Sequence, residues 1–397
     1  MKRIYTALIE EHFELNRQML FLSGPRQVGK TTLSMSLDQN HHYFNWDDQR
    51  DRQKINTVQS QIAEAIVATA DQTIIFDELH KYADWKNFIK GFYDKYLQPQ
   101  WRIVVTGGAR LDTYRKGGDS LMGRYFHFSM FPLSVAELLN TGKVDETLTR
   151  QPKEIEQEKW EALLHFGGFP EPYLKANKRF HKQWSKLRQS QLLQEDIRSL
   201  GSGGYDVSKI EVLAELVTIH AAQTLNYSSL AKHVRVSIET IQRWIALLKQ
   251  LSYCFTIRPW KKNISRSLLK EPKLYLTDWS QIQDEGRRNE TLVANALLKA
   301  VTGWSDLGFG EFDLFYIRTK EKREVDFLVT RDQTPWFLAE VKTSLQNISP
   351  HLEYFQQMIQ AKHAFQVTIK MPYQDLDLFT TNKPIVVPAV TFLSQLL

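Results

Sequence analysis

The sequence predicts an α/β chain of several modules, led by a doubly wound sheet of parallel strands with helices on both faces. Three observations predict it. Short runs rich in β-branched residues, Thr73-Ile74-Ile75-Phe76 and Arg102-Ile103-Val104-Val105-Thr106, alternate with stretches of helical apolar spacing such as Ile62 to Ala68. The stretch FLSGPRQVGKTT, residues 21–32, sets an apolar strand end against a glycine-bearing loop and a helix start. The third is size: 397 residues at 42% hydrophobic content suffice for two or three domains with ordinary cores. Strands that alternate with helices pair in parallel and hold ligands at their carboxyl ends.

Composition narrows the class. No apolar run approaches the ~18 residues that a membrane helix needs, and acidic residues stand in the N-terminal stretch where a signal peptide has its apolar core. A soluble, cytoplasmic protein with no membrane partner is expected. The single cysteine, Cys254, excludes an intramolecular disulfide and a multi-cysteine zinc site. His41 and His42 stand next to each other without partners at metal-ligand spacing and read as loop residues. The net charge of +6 is concentrated: residues 181–290 hold 17 Lys and Arg against 11 Asp and Glu, and the flanking parts are near balance. A basic middle suits a polyanion, although a solvated charged surface has the same composition.

In the first module, residues 1–140, the loop Gly24-Pro25-Arg26-Gln27-Val28-Gly29-Lys30-Thr31-Thr32 fits G-x-x-x-x-G-K-[ST]. The glycines let backbone N–H groups face phosphate oxygens, and the helix beginning near Lys30 adds its positive end. Lys30 is expected to reach the β and γ phosphates of ATP, and Thr31 to offer its hydroxyl to Mg2+. A second strand follows at His42 to Trp46. The third, Thr73 to Phe76, ends in two carboxylates. Asp77 is placed to hold the magnesium, directly or through water, and Glu78 to act as base or orienting group for the attacking water. The fourth ends in Thr106, the candidate γ-phosphate sensor.

The motifs GPRQVGKTT, IIFDELHK and VVTGGARLD resemble those of a family of bacterial and archaeal AAA-type ATPases whose C-terminal domain has a nuclease-like fold. So do Ser120-Leu-Met-Gly-Arg124, Phe131-Pro-Leu-Ser134 with Glu137, and Gly167-Gly168-Phe169-Pro170-Glu171. The resemblance runs through nearly the whole chain. It implies that Arg124 contacts the γ-phosphate, in its own site or a neighbouring subunit's, and hence a homo-oligomer. The plainer reading pairs Arg124 with a carboxylate. Gly107-Gly108 departs from the family's small polar residue and weakens the sensor role of Thr106.

Residues 141–285 begin with a polar connection and an apolar patch, Trp160 to Phe166, before the Gly-Gly-Phe-Pro-Glu-Pro turn. A helix is expected over 183–200. Residues 225–275 then read as a winged helix-turn-helix: Ser228 to His233, a turn, a helix from Ser237 to Leu251 capped by Ser237, and a strand from Tyr253 to Ile257. Glu239, Thr240, Gln242, Arg243 and Lys249 face away from the apolar stripe, and Lys261, Lys262, Arg266 and Lys270 fall in the wing, suited to phosphates. Nucleic acid, DNA before RNA, is the expected partner. Glu239 opposes that, and such modules also serve only to pack domains.

In residues 286–397, Glu290 opens an apolar helix. Phe312 to Arg318 is a strand, and Glu324-Val-Asp326 and Glu340-Val-Lys342 lie on the next two. The order resembles the PD-(D/E)XK nuclease core. Asp326 and Glu340, completed by Glu290, are expected to coordinate one or two Mg2+, with Lys342 orienting water. The expected function is an ATPase that couples hydrolysis to engagement, with or without cleavage, of nucleic acid. The rival is an ATP-operated binding switch or scaffold whose inactive C-terminal domain recognises a protein or nucleic-acid partner without cutting it.

Overall fold

A computed structural model of the chain describes residues 1–38, 41–56, 59–66, 72–108, 121–142, 145–197, 206–260, 271–321 and 323–397. The chain divides into two compact units, Met1–Phe131 with Asn140–Val144, and Pro132–Leu139 with Asp145–Leu397. Among the described residues no helix is long and apolar enough to cross a membrane.

In the first unit, α1 (Ile4–Leu15) leads to β1 (Met19–Ser23), the glycine loop and α2 (Lys30–Met35). Then follow β2 (His41–Asn45), α3 (Gln49–Asn56), α4 (Gln59–Ala65), β3 (Gln72–Asp77), α5 (Trp85–Tyr96), β4 (Trp101–Thr106) and β5 (Tyr125–Ser129). The five strands are all parallel, in the order β2-β3-β4-β1-β5. Parallel neighbours need crossovers, and the helices that make them cover the sheet, so the inner strands β1, β3 and β4 are largely apolar and buried. All of β1 is buried, as are Ile74, Ile75 and Phe76 of β3. Phe76 anchors the core by meeting Phe88 and Phe92 of α5 edge-on, each at 5.5 Å, and stacking on Phe44 of β2. His41 and His42 belong to β2 and not to a loop, because they pair with Thr73 and Ile74 of β3. Parallel alignment brings the carboxyl ends of β1, β3 and β4 to one edge. Ser23, Asp77 and Thr106 therefore leave the sheet side by side.

The second unit begins with α6 (Val135–Leu139), then α7 (Gln157–Phe166), α8 (Pro170–Lys175), α9 (Lys178–Ser190) and α10 (Val207–Ile219). Part of the expected Gly-Gly-Phe-Pro-Glu-Pro turn is helical, since Pro170 starts α8, where its missing N–H leaves no bond unmade. Gly168 cannot be replaced there: a Cβ would lie 2.7 Å from Leu133 O and from the Trp279 ring. The helix expected over 183–200 is α9 followed by a π-helical turn, Gln191–Asp196, and residues 198–205 lie outside the described ones.

Next come β6 (Gln223–Thr224), α11 (Tyr227–Val234), α12 (Ile238–Gln250), β7 (Cys254–Pro259) and β8 (Lys273–Leu276). The Ser237 hydroxyl caps α12 by accepting from Thr240 N, while Ile241, Trp244, Ile245 and Leu248 bury its apolar stripe. The chain ends with α13 (Glu285–Asp306), β9 (Phe312–Arg318), β10 (Glu324–Arg331), β11 (Thr334–Lys342), α14 (Pro350–Ile359), β12 (His363–Thr368), β13 (Ile385–Pro388) and α15 (Ala389–Ser394). One eight-stranded sheet, β13-β12-β11-β10-β9-β7-β8-β6, unites them. Strand β7 pairs antiparallel with β8 and parallel with β9, so the sheet crosses the boundary drawn at residue 285 from sequence. Helix α13 starts at Glu285, capped by Asp284, and not at Glu290. Glu290 thus sits in its second turn, turned toward the sheet.

Candidate functional site

The glycine loop is shaped by steric necessity. Gly24 has φ +147, and a Cβ there would lie 2.3 Å from the Met130 carbonyl oxygen. Gly29 has φ +101 and Gln27 φ 63, both in the left-handed region that turns N–H groups toward the inside of a loop. Pro25 and Val28 are buried, Arg26 half-buried, and Gln27 and Thr32 exposed. Lys30 is only 6% exposed, and its Nζ donates to Gly24 O at 3.0 Å and Pro25 O at 2.9 Å. The loop is also held from the chain's start: Arg3 donates to Val28 O at 2.7 Å and to Phe131 O at 2.8 Å.

Asp77 is the centre of the arrangement. Its Oδ2 accepts from the Thr31 hydroxyl and from the Tyr43 hydroxyl, each at 2.7 Å, and its Oδ1 accepts from the Thr106 hydroxyl. Residues 31, 77 and 106, expected from sequence to act together, meet at one buried carboxylate. Tyr43 was missed. It lies on β2, paired in register with the strand that carries Asp77, and the short aromatic run at residues 42–46 was its only trace in the sequence. Burial, then the Asp77 hydrogen bond, raises the phenol's pKa well above its ordinary value, so it stays a donor. Tyr43→Phe removes one of three donors that fix the carboxylate. The expected cost is about 1 kcal/mol of stability, with a several-fold higher magnesium requirement, read from ATP turnover against magnesium concentration.

Glu78 follows with φ 55, a strained conformation for a residue with a side chain. Its Oε2 lies 3.1 Å from Lys81 Nζ, which also reaches Asp47 Oδ2 at 2.6 Å, and 3.9 Å from His80 Nε2. Burial pulls the Lys81 pKa down, but the two carboxylates outweigh it and raise the pKa. A hydroxyl oxygen, a carboxylate and an inward lysine are a donor set suited to magnesium and phosphate, so Thr31, Asp77 and Lys30 fit Mg2+ and a nucleotide.

Arg124 is placed elsewhere. It precedes β5, whose first residue pairs with Met19 at the amino end of β1, while the glycine loop leaves the carboxyl end. Five residues of strand separate the two, about 17 Å. Arg124 cannot reach a γ-phosphate in its own site. It grips Asp94 of α5 by two bonds, Nε to Oδ1 at 2.7 Å and Nη2 to Oδ2 at 3.0 Å.

In the second unit the expected magnesium site is not assembled. Lys273 of β8, 4% exposed, sends its Nζ to Glu324 Oε1 at 2.6 Å, Glu290 Oε1 at 3.1 Å and Asp326 Oδ1 at 3.4 Å. Glu290 also accepts from the Tyr275 hydroxyl at 2.8 Å, and Asp326 Oδ2 from Val341 N at 2.9 Å. Glu340 pairs with Lys342 at 2.8 Å, leaving its Oε2 buried without a hydrogen-bond partner. Among the described residues no three His, Cys, Asp or Glu side chains converge as a metal site. Glu290, Asp326 and Glu340 do not fit a divalent ion as ligands, because an ammonium holds the first two. Burial first, and Asp326 second, raise the Glu290 pKa. Lys273, a lone charge in the run Lys-Leu-Tyr-Leu, was the overlooked sequence signal.

On α12, Glu239, Gln242, Arg243 and Lys249 are exposed and Thr240 is half-buried. The expected wing lysines and arginine, 261–270, lie outside the described residues.

A parallel five-stranded sheet with the glycine loop, Lys30, Thr31, Asp77 and Glu78 at its carboxyl edge is the arrangement of a P-loop nucleotide-binding domain. Residues 16–139 match the family described as AAA domain, residues 157–282 a domain of unknown function (DUF8612), and residues 285–390 another (DUF4143). An uncharacterized protein of Mycobacterium tuberculosis is 22% identical over 341 residues, 83% of this chain and 72% of its own, and its Mycobacterium bovis counterpart matches equally. Among solved structures, the Walker-type ATPase PABY2304 of Pyrococcus abyssi aligns over 69% of this chain and 92% of its own, at 14% identity and TM-score 0.40. The Aeropyrum pernix Orc1 protein, solved in complex with DNA, aligns over 75% and 94%, at 11% and 0.32. Neither likeness carries weight for what this chain binds.

Proposed function

We propose that this chain is an ATP-hydrolysing switch of the AAA type that engages nucleic acid and does not cut it. The observation that carries the ATPase reading is the Asp77 carboxylate, which gathers Thr31 from the glycine loop and Thr106 from β4 at the sheet edge where Lys30 lies. Magnesium held by Thr31 and Asp77 would neutralise charge across the β and γ phosphates. Lys30 exchanges its loop carbonyls for phosphate oxygens, the N–H groups of residues 24–32 cradle the phosphates, and Glu78 takes the proton of the attacking water or orients it. Thr106 reports on the γ-phosphate through its bond to Asp77. Arg124 is left for a neighbouring copy, for which it must exchange Asp94, and a homo-oligomer stays in the proposal on that ground.

The nucleic-acid reading is supported by the order α10-β6-α11-α12-β7-β8, which is that of a winged helix, and by the exposed Gln242, Arg243 and Lys249 on its second helix of the pair. The non-cleaving reading rests on Lys273 lying among the carboxylates. The test is binding of fluorescent duplex DNA, single-stranded DNA and RNA with and without ATP and magnesium. Duplex DNA should bind best, and Arg243→Ala with Lys249→Ala should weaken it about tenfold and lower the salt slope by about two. Equal binding by the double variant sinks the recognition face, and release of shortened fragments by the parent sinks the non-cleaving reading.

A further inference from the structure

We propose that Lys273 is the built-in cation of the Glu290–Glu324–Asp326 cluster, standing where a divalent metal would otherwise bind and making the second unit independent of metal. This deepens the non-cleaving reading and rests on it. Three observations carry it. The ammonium touches one oxygen of each of three carboxylates and is nearly sealed from solvent. Each carboxylate has one further partner: Tyr275 also donates to Glu290 Oε1, Arg318 Nε lies 3.4 Å from Glu324 Oε2, and Val341 N donates to Asp326 Oδ2.

Charge balance is the third. Three carboxylates, Glu290, Glu324 and Asp326, face two cations, Lys273 and Arg318, which leaves at most one negative charge, and less where Glu290, whose pKa burial and then Asp326 raise to about 7, holds a proton. A divalent ion would have to displace the ammonium, since the two cannot share the same oxygens without strong repulsion. Glu340 Oε2 stays buried and unpartnered, yet one oxygen does not make a cation site. The cation also comes from β8, a strand of the helix-turn-helix segment, while its acids come from α13 and β10. The same bond therefore ties the two sequence segments of the unit together.

The test counts Mn2+ by titration calorimetry on nucleotide-free protein carrying Asp77→Asn, which silences the magnesium site of the first unit. In that background the parent cluster and Asp326→Asn should bind the same number of ions, and the melting temperature should not respond to Mn2+. Lys273→Met should gain one Mn2+ ion and a Mn2+-dependent rise in melting temperature. One more ion in the parent than in Asp326→Asn overturns the proposal, as does a folded Lys273→Met that gains none. Should Lys273→Met fail to fold, the parent comparison decides alone. DNA cleavage is scored separately, so the ion count and the non-cleaving reading fail independently.

Discussion

Glu78→Gln should bind ATP with near-parent affinity and hydrolyse it about 10²–10⁴-fold more slowly, the range of a lost general base. The amide keeps the shape of the side chain and the strained backbone at φ 55 that aims it, but it cannot take a proton. Its ion pair with Lys81 is lost as well. That pair is partly exposed, and such pairs contribute about 0–1 kcal/mol, too little for unfolding to explain the rate. In the proposed mechanism the loop and Lys30 still hold the nucleotide and Asp77 its magnesium, so binding and turnover should separate. Filter binding of labelled ATP beside single-turnover phosphate release measures both. Parent-rate turnover in Glu78→Gln would remove Glu78 from the reaction and leave its left-handed backbone without a functional reason. Loss of ATP binding would instead make it a structural residue of the loop.

The first unit was legible because its signals are local. A glycine loop between strand and helix, an apolar run ending in Asp77-Glu78 and another ending in Thr106 each occupy a few consecutive residues. Parallel pairing then brings the three ends together by topology alone. Arg124 was left with two readings, a γ-phosphate contact and a carboxylate pair, because the sequence says which strand it precedes but not which end of the sheet that is. Only the Met19–Tyr125 register puts it opposite the loop.

The second unit resisted for the converse reason. Its decisive contact is Lys273 with Glu290, Glu324 and Asp326, spread over 53 residues and three elements. The pairing of β7 with β9 that brings them near has no periodicity to announce it. Acid-x-Lys on a strand has the local pattern of a metal site, and no local signal in the sequence places Lys273 beside it. The same holds for Glu137, which entered by resemblance only. Its partner stands 162 positions away.

That partner gives the other large effect. Lys299→Ala should destabilise the second unit by about 3–5 kcal/mol, because it strands the Glu137 carboxylate in the interior. Lys299 Nζ lies 2.5 Å from Glu137 Oε2, and the two side chains are 3% and 1% exposed. Neither can turn to water. The lysine also reaches Pro132 O at 3.4 Å, Leu133 N donates to Gly168 O at 2.7 Å, and the Ser134 hydroxyl contacts Leu397 O. Residues 132–139, which follow β5 directly in the chain, are thus built into the second unit through buried polar bonds. A segment held only by apolar packing would behave differently. Lys299→Met paired with Glu137→Leu separates the cases: with both charges gone the unit should recover most of the loss, since a well-packed apolar pair replaces a buried ion pair at little cost. Thermal unfolding of the full chain reads both, with Lys299→Ala lowering the second unit's transition by roughly 10 °C. An equal drop in the single and double variants would mean that the shape of Lys299, and not its charge, holds the segment.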